Sequence, residues 1–174
     1  QVAELVDALA SGVSDRKVVE VRVFSWAPFS FSRRRMPRRN PVNVSSAKDA
    51  KIEVHQGDIP AGLDFGDAVA VDTEAMGLNN HRDRLCVVQL SAGDGTAHLV
   101  KFDAGDDYAA PNLKALMSDS AVTKIFHYAR FDIAVISGYL GVECDPIYCT
   151  KIASQLARTY TDGHGLKDLC REIL

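Results

Sequence analysis

From Lys51 onward, short apolar runs alternate with polar breaks, and their spacing predicts the elements. Lys51 to Gln56 reads as a short strand. Ala68 to Glu74 shows little alternation, as expected of a strand covered on both faces. Arg84 to Ser91 is another strand. Thr96 to Phe102 follows it after the turn Gly93-Asp94-Gly95. Runs joined this closely pair as a three-strand antiparallel meander. The period then changes. Asn112 to Met117 reads as a helix, with Pro111 near its start. Val122 to Phe126 is a strand. Arg130 to Leu140 carries Phe131, Val135, Ile136 and Tyr139 at helical spacing, with Gly141 as the stop. Ile147 to Cys149 is a short strand, and Thr150 to Arg158 and Leu166 to Leu174 are helices. Hairpin-linked strands followed by alternating strands and helices predict an α/β domain. Its mixed β-sheet, the meander plus parallel strands, is flanked by helices.

Residues 1–50 do not share this pattern. Arg33 to Arg39 hold five arginines, a Ser/Phe-rich patch precedes them, and Asn40 to Ala50 resemble a polar linker. A basic arm of this kind suits nucleic-acid binding or a transit peptide. A third reading is preferred. Gln1 to Pro28 resembles the conceptual translation of a bacterial leucine transfer-RNA gene. Val21-Arg22-Val23 fits the T-loop, and Trp26-Ala27-Pro28 fits TGG GCA CCA, the 3′ stem and CCA end. On this reading residues 1–50 are a non-native or disordered leader, Met36 is a candidate start, and residues 51–174 are the domain.

Composition adds boundaries. A chain of 174 residues suits one domain with a real core. A net charge of -3 leaves no overall basic footprint, so a nucleic-acid partner must be held locally. Cys86, Cys144, Cys149 and Cys170 make no Cys-x-x-Cys pair, and no histidine pair stands nearby at zinc-finger spacing, which argues against structural zinc. Reduced thiols and a cytoplasmic location are the default. The apolar runs are too short to span a bilayer.

The sharpest chemical signal is Asp72-Thr73-Glu74 at the end of the apolar run Ala68 to Val71. Residues i and i+2 of a strand share a face, so the two carboxylates stand side by side. They repel unless cations sit between them, and hard oxygen ligands suit Mg²⁺ or Mn²⁺. The plain alternative is a strand ending in two solvated acids. His127-Tyr128-Ala129-Arg130-Phe131-Asp132 follows the Val122 to Phe126 strand and opens a helix. Such junctions are where ligands bind in α/β folds, and the helix dipole favours Asp132 in the first turn.

Taken together, residues 51–174 resemble the ribonuclease D-like 3′–5′ exonucleases of the DEDD superfamily. Asp72-Thr73-Glu74 matches the first exonuclease motif, Arg84 to Ser91 the second strand, and His127 through Asp132 the second motif. His164-Gly165-Leu166-Lys167-Asp168-Leu169-Cys170 resembles the helix that follows in bacterial members. The resemblance implies a ribonuclease H-like fold and two divalent cations, Mg²⁺ or Mn²⁺, with Asp72 bridging both and Glu74 and Asp132 completing the shell. It implies hydrolysis at the 3′ ends of single-stranded RNA or tRNA, with DNA left open, releasing nucleoside monophosphates. Thr73, Met76, Leu78 and His127 are the substrate-side candidates, Met76 and Leu78 by packing on the terminal base unless they are core residues. Lys124, Arg130, Lys151, Arg158 and Lys167 are phosphate candidates. No membrane and no obligate protein partner is expected.

The competing reading is a non-catalytic nucleic-acid-binding fragment of the same fold. An oligoribonuclease-type relative is a further one, which Val87-Val88-Gln89-Leu90 fits less well than ribonuclease D. The family's third motif, a Tyr or His followed by a fourth Asp, belongs after the Leu166 helix. Tyr160 and Asp162 precede that helix, and His164 and Asp168 have suitable spacing in the wrong place. The expectation is a domain incomplete at its C-terminus that cleaves little on its own.

If the leader reading holds, residues Gln1 to Arg35 have no evolved surface to pack on. Removing them should leave thermal stability within roughly half a kcal/mol. A substantially lower melting temperature would show instead that the segment packs on the domain.

Overall fold

A computed structural model describes residues 51–173; the predicted leader and Leu174 lie outside the described residues. Six strands form one sheet: β1 (Lys51–Gln56), β2 (Ala68–Ala75), β3 (Leu85–Ser91), β4 (Thr96–Lys101), β5 (Thr123–Phe126) and β6 (Ile147–Cys149), in the order β1-β4-β3-β2-β5-β6. β2, β3 and β4 are the predicted antiparallel meander. β1 joins β4 in parallel, β5 joins β2 in parallel, and β6 joins β5 in parallel. Four helices are found among the described residues: α1 (Pro111–Ser118), α2 (Arg130–Leu140), α3 (Thr150–Ala157) and α4 (Leu166–Ile173). This is the mixed, helix-flanked sheet that the sequence predicts. No helix among the described residues is long and apolar enough to cross a membrane.

Burial explains the weak alternation of the central strands. Val69, Val71, Val88, Leu90 and Val100 face the main core, which Leu113 and Met117 of α1 and Val135, Ile136 and Leu140 of α2 fill from above. Their neighbours Val87, Ala97 and Leu99 form a second, smaller buried cluster with Cys86. Both faces of β3 and β4 are therefore apolar. α2 ends at Gly141, whose φ of 66° is left-handed and favours a residue without Cβ.

One charged residue lies where the sequence did not place it. Lys124, a phosphate candidate, has no exposed surface. Its Nζ donates to the carbonyls of Asp119, Val122 and Asp145 at 2.7, 2.8 and 2.5 Å. Three donors meet three acceptors, so the ammonium is a structural clamp between the start of β5 and the loop before β6. Lys124→Met keeps the apolar stem and removes the donors. Urea unfolding should show a loss on the order of 2–4 kcal/mol. A loss below about 0.5 kcal/mol, the size of a surface change, would mean the carbonyls find other partners.

Candidate active site

β2 is longer than its neighbour on one side. It pairs with β5 only from Ala68↔Thr123 to Ala70↔Ile125, while on the other side the pairing with β3 continues through Asp72↔Gln89, Thr73↔Val88 and Glu74↔Val87. The end of β2 thus has one open edge, and the first turn of α2 enters there. Asp132, 6% exposed, accepts two hydrogen bonds at Oδ1, from the Thr73 backbone N–H at 3.0 Å and the Thr73 hydroxyl at 2.7 Å. A side chain takes the bond that a strand would otherwise make. The candidate acids Asp72, Glu74 and Asp132 are gathered there. Thr73, a substrate-side candidate, spends its amide and hydroxyl on holding Asp132.

The acids act on one another electrostatically. Asp72 is exposed at the strand end; the protein packed around it, and then the charge of Asp132, push it up to about 6, against the Thr73 amide. Burial, then Asp72, then Asp132, pushes Glu74 up to about 7. Burial raises Asp132 as well, while its two bonds from Thr73 pull the other way. Among the described residues no lysine, arginine or histidine forms an ion pair with any of the three. A neutral donor does reach Asp72: Gln89 Nε2 donates to Oδ2 at 3.4 Å. The sequence reading treated Gln89 as strand. Its place opposite Asp72 follows from the hairpin register, the signal that would have found it. Oxygen donors that repel each other and lack a counter-cation fit hard divalent cations such as Mg²⁺ or Mn²⁺.

Around the acids stand the other candidates. His127 Nδ1 lies 2.9 Å from Thr150 Oγ1, whose own proton goes to the Phe126 carbonyl at 3.1 Å. The hydroxyl must then accept from His127 Nδ1–H, which leaves Nε2 as the acceptor of a neutral ring. Burial, and secondarily Lys151, lowers the His127 pKa and keeps it neutral. Tyr128 follows at φ 67°, a strained conformation for a bulky residue, with its ring exposed and Lys151 Nζ 3.9 Å from the centroid.

Met76 and Leu78 are 60% and 88% exposed, so they are not core residues. The loop that displays them is organised by buried Asp83, which accepts from the Asn79 amide at 3.0 Å and from Arg82 Nε at 2.7 Å. A Cβ on Gly77 would lie 2.3 Å from the Asp83 carboxylate, so this close approach requires glycine.

The C-terminal candidates belong to a separate cluster. His164 Nδ1 bonds Ser154 Oγ at 2.9 Å, and Asp168 is exposed in α4. Arg158, a phosphate candidate, donates to Ser154 and Gly163 and pairs with Glu172.

Known proteins resemble this chain in sequence and fold. A family model described as 3′–5′ exonuclease matches residues 52–174. Ribonuclease D of Acidiphilium cryptum is 37% identical over 89 residues, covering 51% of this chain and 22% of that protein. Brucella melitensis NrnC bound to pGG is 54% identical, with a TM-score of 0.69, covering 72% of this chain and 61% of that one. The same NrnC with bound Mg²⁺ is 54% identical, with a TM-score of 0.68, covering 71% and 61%. The chain spans less than a quarter of the ribonuclease D and less than two thirds of NrnC.

The raised acids set a pH dependence. In the folded, metal-free chain Asp72 and Glu74 hold protons up to about 6 and about 7, where the unfolded chain has already lost them. Their contribution to metal-free stability therefore falls as pH rises from the ordinary carboxylate range to about 7, and is level above. Melting in chelator and in Mg²⁺ at about pH 5 and about pH 8 tests this. Mg²⁺ should raise the midpoint at the higher pH and do little at the lower. Asp72→Asn should raise the chelator midpoint at the higher pH by a few degrees and blunt the Mg²⁺ response. A Mg²⁺ response that is larger at the lower pH would contradict the charge argument.

Proposed function

The chain belongs to the 3′–5′ exonuclease family whose model matches residues 52–174, and on that premise we propose that it is a metal-dependent exonuclease of the ribonuclease D type acting at RNA 3′ ends. The observation that carries the proposal is the group of three carboxylates, each pushed up by its surroundings and with no cationic partner among the described residues. A module that only bound nucleic acid would gain nothing from anions where phosphates must approach, which weighs against the non-catalytic alternative.

Asp72, Glu74 and Asp132 would hold two divalent cations, Mg²⁺ or Mn²⁺, which when bound supply an activated water and neutralise charge on the scissile phosphate. Asp72 is placed in the bridging position on the strength of its place in the Asp72-Thr73-Glu74 motif. Thr73 fixes Asp132 from two directions, and Gln89 steadies Asp72 without neutralising it. Met76 and Leu78 offer apolar surface to a terminal base, a contact that tolerates any base because each has a π-face. His127, uncharged and pinned by Thr150, would meet the substrate at the same strand-to-helix junction as Asp132.

The products are nucleoside monophosphates. Single-stranded RNA or tRNA 3′ ends are the proposed substrates and DNA the competing one. The NrnC structure with pGG supports short 3′ ends among them. The cytoplasm is the compartment this reading calls for.

Digestion of a 3′-labelled single-stranded RNA tests the proposal, with the chain alone and with a form extended past Leu174 through the expected third motif. Cleavage should require Mg²⁺ or Mn²⁺ and stop in chelator. Asp72→Asn should lower the rate by about a hundredfold or more while the fold persists. Undiminished cleavage in chelator would remove the metal mechanism. A near-normal rate in Asp72→Asn would remove Asp72 from the bridging role.

A further inference from the structure

A second group of side chains with metal-ligand chemistry lies at the β1 edge of the sheet. β1 is an edge strand, paired in parallel with β4 so that Glu53 stands beside His98 and His55 beside Val100. Residues i and i+2 share a face, so Glu53, His55 and His98 converge. They do so on the main-core face, because His98 pairs with the core residue Leu90. His98 is buried, and Phe65 holds it edge-on, with ring centroids 5.5 Å apart and planes at 76°.

Three ligand atoms face each other. His55 Nε2 and His98 Nδ1 are 3.0 Å apart, and Glu53 Oε2 lies 3.4 Å from the His98 atom and 4.0 Å from the His55 atom. The point equidistant from three atoms so spaced is about 2 Å from each, which is the length of a zinc–imidazole or zinc–carboxylate bond. Lys51 pairs with Glu53 at Oε1, leaving Oε2 toward the rings. We propose that Glu53, His55 and His98 bind one transition-metal dication, zinc by preference, that staples β1 to β4. Two imidazoles and a carboxylate are a zinc donor set with a fourth position for water. Mg²⁺ prefers oxygen ligands, so the two sites select different metals.

The metal-free geometry is compatible with loading. The imidazole planes differ by 18° and their centroids are 5.3 Å apart. With the facing nitrogens 3.0 Å apart, the rings lie edge to edge, close to one plane, and not face to face. One N–H therefore bridges them. On metal entry this proton leaves the facing nitrogen and the far nitrogen of the same ring takes one up. Both facing lone pairs then become ligands. Each ring pivots so that its lone pair meets the metal instead of the other ring.

The test uses the full chain in saturating Mg²⁺, so that the carboxylate site is filled, with Zn²⁺ or Co²⁺ added alone. One equivalent of Zn²⁺ should bind and raise the melting temperature. Co²⁺ should give visible d–d bands that Zn²⁺ removes. His55→Gln, on the edge strand, should lose the bands and the thermal shift while keeping its circular dichroism, and Glu53→Gln should weaken both. Asp72→Asn should keep both. Three results would each overturn the proposal: no zinc-dependent shift, a shift that survives His55→Gln, or a shift that disappears in Asp72→Asn.

Discussion

Asp132 Oδ1 receives both hydrogen bonds that Thr73 can donate, and the site depends on that pairing. β5 stops pairing with β2 at Ala70, so the Thr73 amide beyond it would be buried without a partner. Leaving such a donor unpaired costs about 1–3 kcal/mol. α2 supplies the acceptor from its first turn. The same contact brings a third carboxylate up to Asp72 and Glu74, where charge alone would drive it away. Bonds to an ionised group are worth about 1.5–3 kcal/mol each, enough to hold Asp132 against screened repulsion. A demand of the backbone and a demand of the chemistry are thus met by one side chain.

Much of this was legible in the sequence because it is local. The meander follows from runs separated by short turns, and Arg130–Leu140 follows from apolar spacing and the glycine stop. Asp72 and Glu74 follow from strand alternation. What was not legible depends on groups distant in the chain. Lys124 looked like a surface charge, since nothing nearby announces that the carbonyls of Asp119 and Asp145 converge on it. Thr73 looked like a substrate contact because its partner is 59 residues away. Met76 and Leu78 looked equally like core, and only the loop closed by Asp83 shows them exposed. Cysteine and histidine spacing along the chain weighed against structural zinc; that His55 and His98 meet across 43 residues, through a parallel pairing that no hairpin signals, was not legible there.

The acids on β2 and the imidazoles at the β1 edge are linked through backbone and not through charge. Asp72, Gln89, Leu99 and Val54 stand in one row across β2, β3, β4 and β1. Val71, Leu90, His98 and Glu53 occupy the adjacent row. Between the acids and the imidazoles lie buried apolar residues, Leu90 and Leu99 among them, so neither group neutralises the other. What passes between them is position. Gln89, which donates to Asp72, sits opposite Leu99, and Leu99 is the immediate neighbour of His98. Fixing β1 against β4 therefore limits the freedom of the ladder that sets where Gln89 meets Asp72. Asp72 is pushed up to about 6 first by the protein packed around it and second by Asp132, and the second effect grows as the acids approach.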